Sequence, residues 1–243
     1  MISPKKVLII IPAFNEERTI RRLVQEIKKI YPDFTVLVIN DGSTDHTAEE
    51  ALEVGAFLID LPYNLGIGGA IQTGFKVAFE ENFDIAVQID GDGQHDPRYL
   101  PCILEPVASG KVDLCIGSRF LNEHSGFKST FSRRIGIRFF SSLLGLLTGV
   151  PITDPTSGFR AYGKKIIPIF AQFYPVDFPE PEAVMTAKRY NAKISEVPVN
   201  MRKRLGGISS IRYLKTIYYM LKVTMAILID MLKKKQKEIS YGS

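Results

Sequence analysis

Short apolar, β-branched runs alternate with helical patterns through the first half of the chain, and this alternation narrows the fold more than any other feature. Strands are predicted at Val7 to Ile11, Thr35 to Ile39, Phe57 to Ile59, Ile85 to Ile89 and Leu114 to Ile116. Between the first two, Ile20, Leu23, Val24, Ile27 and Ile30 recur at helical spacing, with Asn15 as the expected N-cap and Pro32 as the stop. A second helix is expected after Asp45, capped by it, and a third from about Gly69 to Phe79. Such alternation builds an α/β fold in which a mostly parallel sheet is flanked by helices on both faces.

A chain of 243 residues is long enough to bury a sizeable core. One catalytic domain is expected over residues 1–210, followed by a basic amphipathic segment over 211–243. Hydrophobic residues make up 45% and charged residues 23%, ordinary globular usage that indicates neither a disordered nor a fibrous class. Cys102 and Cys115 lack the spacing of a metal motif and read as reduced, buried residues. The apolar run after Lys5 and Lys6 is too short for a signal sequence and reads as a first strand.

The net charge of +5 hides an asymmetry. Residues 201–243 carry ten Lys or Arg against Asp230 and Glu238, a local net of +8, so the first 200 residues carry −3. The mostly apolar stretch ending at Val150 is about twelve residues long, well short of the roughly 20 a spanning helix needs. Tyr213 to Leu232 is long enough but contains Lys215, Lys222 and Asp230, each costing about 2.5–3.5 kcal/mol at a bilayer centre. A peripheral position at the cytoplasmic face of a membrane fits better than a spanning one. Packing on the domain body, or between subunits of a homo-oligomer, is the alternative for both segments.

The densest chemical signal is QIDGDGQHDP, Gln88 to Pro97, which follows an apolar strand. Ligands of open α/β sheets gather beyond the carboxyl ends of the strands, so Asp90 and Asp92 are expected on the ligand side. Gly91 between them gives the backbone room. Two carboxylates suit Mg²⁺ or Mn²⁺ completed by substrate phosphates, with Gln94 as a further oxygen and His95 able to assist. An isolated Asp-x-Asp is more often a solvated turn; the strand before it and the neighbouring motifs favour a site here. NDGSTDHT, Asn40 to Thr47, also follows a strand, and Asp41 can accept hydrogen bonds from a base or ribose. IPAFNEE brings Pro12, Ala13 and Glu16 to the same edge. The glycines of NLGIGGAIQTG do not fit G-x-G-x-x-G, because Ile71 takes the last position, so a dehydrogenase-type dinucleotide site is not supported.

In order and spacing, IPAFNEE, NDGSTDHT, NLGIGGA, DGDGQHDP, GSRF and DPTSGFRAY resemble family 2 glycosyltransferases of the GT-A fold over roughly residues 5–210. The resemblance implies a nucleotide-sugar donor, a metal at Asp90, Asp92 and Gln94, and inversion at the anomeric carbon. It implies that Pro12, Ala13, Glu16, Asp41, Asp90 and Gly91 hold the donor, and that Arg119 of GSRF faces a phosphate. Within the family, the chain is most similar to the dolichol-phosphate mannosyltransferase-like, polyprenyl-phosphate branch. That similarity rests on the arginine-rich segment, the DPTSGFRAY motif, and an R-x-x-G-x-S pattern from Arg204 that adds Arg204 to the donor residues. The spanning C-terminal helices of some relatives are not expected in these residues, and FPEPEAV matches the family's acidic segment only loosely, with Glu182 at the best-matching position.

Charge independently points to a lipid phosphate acceptor. Between Glu123 and Asp154 there is no acidic residue, while Lys128, Arg133, Arg134 and Arg138 gather beside an apolar stretch. Arginine forks suit phosphate oxygens, and apolar neighbours suit a prenyl chain. Nucleic acid is disfavoured because aromatics are not interleaved with the basic run. UDP-glucose or UDP-N-acetylglucosamine is favoured over GDP-mannose by resemblance to bacterial wall-polysaccharide enzymes. Were the acceptor a sugar hydroxyl of a surface polysaccharide, a carboxylate would take its proton, with Glu182 the first candidate. A sugar-phosphate nucleotidyltransferase is disfavoured because the loop after the first strand is acidic where that class carries a basic, glycine-rich one.

Overall fold

The computed structural model describes residues 5–121, 131–176 and 179–202, together with positions 222, 224, 225 and 229, which are helical. A seven-stranded sheet forms the centre. Its strands are β1 (Val7–Ala13), β2 (Thr35–Asn40), β3 (Phe57–Asp60), β4 (Ile85–Gln88), β5 (Leu114–Ser118), β6 (Arg160–Gly163) and β7 (Ile194–Pro198), in the order β3-β2-β1-β4-β6-β5-β7. All pairings are parallel except those of β6, which runs antiparallel to both β4 and β5.

The helices are α1 (Ile20–Ile30), α2 (Thr47–Glu53), α3 (Gly66–Glu80), α4 (Leu100–Ala108), α5 (Phe131–Thr148), α6 (Ile167–Gln172) and α7 (Pro179–Arg189). They cover both faces, as the alternating pattern requires. Alternate residues of β1 feed opposite cores: Leu8 and Ile10 pack with α3 and α6, and Ile9 and Ile11 with α1 and α4. Ile9, Ile10 and Ile11 are fully buried, each contributing about 1.5–3 kcal/mol of transfer free energy.

The five predicted strands are present, and the mostly parallel α/β arrangement is as expected. Two strands escaped the sequence pattern. β6 has four residues and opens with a buried arginine, while β7 reads ISEVP with a half-buried glutamate at its centre. Neither offers the apolar run that marks β1 or β2.

Local expectations need three corrections. Asn15 does not cap α1: it sits at φ 56°, and α1 begins at Ile20 after Thr19. Its side-chain oxygen instead accepts from Thr44 N at 2.9 Å. The third helix starts three residues earlier than expected, at Gly66. Both cysteines are free, but Cys102 is exposed and only Cys115 is buried, because Cys102 lies on the solvent side of α4. The expected cap by Asp45 holds in substance, since its Oδ1 accepts from Thr47 N at 3.1 Å.

Candidate active site

The carboxyl ends of β1, β2 and β4 finish side by side, with Ala13 opposite Asn40 and Ile10 opposite Gln88. The loops that follow carry Glu16, Asp41, Asp90 and Asp92, so the sheet itself brings four predicted acids to one edge. Neutral groups lace these loops together. Asn15 N donates to Ser43 Oγ at 2.9 Å and Glu16 N to Thr47 Oγ1 at 2.8 Å. The buried Thr19 hydroxyl lies 2.8 Å from the Gly91 carbonyl and 3.0 Å from Glu16 Oε2. Gly91 N meets the Pro12 carbonyl at 3.3 Å, and a Cβ on Gly91 would stand 3.1 Å from that oxygen. Pro12, Ala13 and Gly91 therefore form one contact between the end of β1 and the loop after β4.

Asp41 is buried, and its Oδ1 accepts from Leu65 N at 2.7 Å, tying the β2 loop to the entry of α3. The adjacent Gly42, at φ +69°, approaches so closely that a Cβ would fall 2.8 Å from Asn64 N. Only glycine meets both conditions without strain.

Asp92 is buried and accepts from Gln94 N at 2.9 Å. Asp90 is about one third exposed, its backbone N donates to His95 Nδ1 at 3.0 Å, and its Oδ2 lies 3.7 Å from His95 Nε2. His95 is buried and stacks on Phe159 at 5.1 Å, so it orients Asp90 from behind. Asp90 Oδ1 is buried and has no hydrogen-bond partner among the described residues. A buried carboxylate oxygen without a donor is costly, and a hard cation removes that cost, so the donor set fits one. No group of three His, Cys, Asp or Glu able to hold a metal occurs among the described residues. The protein thus offers a pair of carboxylates and leaves other positions to ligand oxygens, as Mg²⁺ sites on substrate phosphates do.

Of the other expected residues, Arg119 has a different partner. Arg119 is buried, with Nε 2.6 Å from Asp154 Oδ2, Nη2 2.7 Å from Asp154 Oδ1, and Nη2 2.9 Å from Thr156 Oγ1. Its fork is committed to a carboxylate rather than presented to a phosphate. Asp154 N and Thr153 N donate in turn to Glu196. Burial raises the Glu196 carboxyl above the usual range. Glu182 is half-buried on the first turn of α7. On the same turn sits Glu180, which sequence reasoning passed over; burial, with the Asp90 charge as a lesser cause, pushes its carboxyl up to about 7. Arg133 and Arg134 open α5, and the positions of their side chains lie outside the described residues, as does Arg204. Arg138 is exposed one turn on, beside exposed Phe139, while Ile137, Phe140 and Leu144 face inward.

Residues 8–169, two thirds of the chain, match the model of glycosyl transferase family 2. The chain belongs to that family. It is therefore a glycosyltransferase. The UDP-N-acetylglucosamine–dolichyl-phosphate N-acetylglucosaminyltransferase of Methanococcus voltae is 30% identical over 82% of this chain and 86% of that protein. The undecaprenyl-phosphate mannosyltransferase of Micrococcus luteus is 33% identical over 65% of this chain and 66% of its own length. These relatives fall in the branch that the arginine-rich segment suggested. Among solved structures, glucosyl-3-phosphoglycerate synthase of Mycobacterium tuberculosis, crystallised with Mn²⁺ and UDP-glucose, superposes with a TM-score of 0.72 at 21% identity, covering 96% of this chain and 81% of that one. That likeness establishes the shared GT-A fold.

Proposed function

We propose that this glycosyltransferase moves a sugar from a nucleoside diphosphate, UDP-glucose or UDP-N-acetylglucosamine ahead of GDP-mannose, to a polyprenyl phosphate at the cytoplasmic face of a membrane. The observation that carries the donor half is the strand-end cluster of Asp41, Asp90 and Asp92, with Asp90 Oδ1 buried and unpartnered. Asp41, Glu16 and the Pro12–Ala13–Gly91 contact frame the nucleoside. Asp90, Asp92 and Gln94 hold Mg²⁺ or Mn²⁺, which when bound supplies charge stabilisation to the departing diphosphate.

In the transfer, an acceptor phosphate oxygen forms the new bond to the sugar C1. The bond from C1 to the diphosphate breaks, and its electron pair leaves with the diphosphate. A phosphate monoester with a second pKa of about 6 is already ionised near neutrality, so no side chain has to remove a proton. The acceptor half draws support from the names of the relatives, which carry dolichyl and undecaprenyl phosphate, and from α5. That helix sets Arg138, Phe139 and Leu146 outward, a mixed basic and apolar face suited to a lipid interface. No helix among the described residues is long and apolar enough to cross a membrane.

The test is paired. Replacing Arg134 and Arg138 by Ala is expected to lower transfer to polyprenyl phosphate tenfold or more, since each charge-assisted hydrogen bond contributes roughly 1.5–3 kcal/mol. UDP-sugar affinity measured by calorimetry is expected to stay within about twofold, because α5 is not part of the strand-end loops. Normal transfer by the double variant would remove α5 from the acceptor site. Transfer by the wild type to hydroxyl acceptors alone would replace the lipid reading with polysaccharide synthesis and turn attention to Glu180 and Glu182 as bases.

A further inference from the structure

Beneath Asp90 lies a second buried polar group that none of the site motifs explains. Gln88, the last residue of β4, is fully buried, and its Nε2 has no hydrogen-bond partner among the described residues. Its Oε1 is held from behind by two hydroxyls, Tyr162 OH at 3.2 Å and Tyr174 OH at 3.4 Å. Both tyrosines are themselves buried and belong to the aromatic cluster around Phe75 and Phe170. The hydroxyl donors thereby choose the orientation of the amide. Turning it over would bring the amide oxygen towards the carboxylate, acceptor against acceptor.

Asp90 lies two residues beyond Gln88, past the end of β4, and both side chains border Gly158. What separates them is Gly158. A Cβ there would stand 2.7 Å from Asp90 Oδ1, 2.9 Å from Asp90 Oδ2 and 3.0 Å from Gln88 Nε2. The unpartnered donor and the unpartnered acceptor thus border one small space, kept open by the missing side chain. An oxygen of an ionised carboxylate has two lone-pair sites, so Oδ1 can take a donor and a cation together.

We propose that Gln88 is a positioning residue for Asp90: the two side chains are not hydrogen-bonded in this structure, and a small rotation of the carboxylate would let Asp90 Oδ1 accept from Gln88 Nε2 and so fix it for a divalent cation, with Tyr162 and Tyr174 setting the amide. The proposal rests on the metal reading above. Hydrogen-bonded partners of a ligating carboxylate typically change metal affinity by 10- to 100-fold when removed.

The full chain, freed of metal and supplied with UDP, is titrated with Mn²⁺, and free Mn²⁺ is followed by electron paramagnetic resonance. Gln88→Met keeps the volume and apolar packing but has no donor, and is expected to weaken Mn²⁺ binding about 10- to 100-fold. Tyr162→Phe combined with Tyr174→Phe frees the amide to turn over and is expected to weaken binding in the same direction by a smaller factor. In both variants the rise in melting temperature on adding Mn²⁺ shrinks, which a purely structural role for Gln88 would not produce. Asp90→Asn serves as the reference for loss of the ligand itself. Wild-type affinity in Gln88→Met overturns the positioning role while the metal reading stands. Absence of Mn²⁺ binding by the wild type overturns both. If Gln88→Met does not fold, the tyrosine pair decides, and unchanged affinity there rejects the proposal.

Discussion

The two ends of the sheet hold their loops by different means. On the β1–β2 side, the strand-end loops are tied mainly by neutral groups, Asn15 to Thr44, Ser43 to Asn15, Thr47 to Glu16 and Thr19 to Gly91, with the Glu17 and Asp45 carboxylates accepting backbone N–H bonds. On the β5–β6–β7 side, the 153–158 loop is tied by buried charge. Arg119 forks onto Asp154, Glu196 takes the backbone of Thr153 and Asp154, and Arg160 spends its guanidinium on the carbonyls of Ser157, Glu180 and Pro155. In the first region, Asp90 Oδ1 keeps no hydrogen-bond partner among the described residues. Charged lacing uses its arginines and acids as structure.

The largest expected effect separates the two regions directly. Asp92→Asn is expected to leave the folded state intact, because an amide oxygen still accepts from Gln94 N, yet to lower transfer by at least about a hundredfold through loss of charge at the donor diphosphate. Turnover at saturating donor together with a melting curve checks it. Near-normal turnover would remove Asp92 from the metal site.

Arg119→Leu is expected to do the reverse. It leaves the Asp154 carboxylate, fully buried, without its fork, and breaking a buried pair by removing one partner costs about 3–5 kcal/mol. Denaturant unfolding reads that loss. If stability held while donor affinity fell, Arg119 would be a phosphate ligand after all and the contrast between the regions would fail.

A smaller effect sharpens the neutral side. Thr19→Val keeps the shape but removes the hydroxyl that joins Gly91 O and Glu16 Oε2, with an expected destabilisation of about 1 kcal/mol. Because the lost bond registers the β1 loop against the Asp90–Asp92 loop, the Michaelis constant for donor is expected to rise as well. A stability loss with unchanged donor kinetics would make the lacing structural only.

The same contrast explains what could be read from residues alone. The neutral side is spelled by strands with continuous apolar runs, each ending in an acidic or glycine-containing loop, and both strand position and acid position were legible there. Gln88 was visible as part of QIDGDGQHDP, but its buried amide needs Tyr162 and Tyr174, 74 and 86 residues away, to have meaning. On the charged side, the arginine of GSRF looks the same whether it meets a phosphate or Asp154, 35 residues on. Only the antiparallel entry of β6 between β4 and β5 brings that carboxylate beneath it. Glu180 and Glu182 sit on one turn of α7, and their spacing in FPEPEAV does not tell which carboxyl feels Asp90.

Glu180 supplies the smallest and most particular test, because it lies where the two regions meet. Burial is the main cause that pushes its carboxyl up to about 7, the Asp90 charge adds to that, and Arg160 opposes it. A carboxyl raised in the folded state holds its proton where the unfolded chain has lost it. Its contribution to stability is therefore fully present below the ordinary glutamate value near 4.5 and is lost as pH rises through about 7. Glu196, also raised by burial, adds a slope of the same sign. Glu180→Gln is expected to reduce the decline in melting temperature of the metal-free protein between pH 5 and pH 8 (on the order of a few degrees). The variant should match wild type at the acid end and exceed it at the alkaline end. A wild-type curve that rises over this range, or a Gln variant with the same slope as wild type, would show that Glu180 ionises normally and that the junction between the two regions is better hydrated than its burial implies.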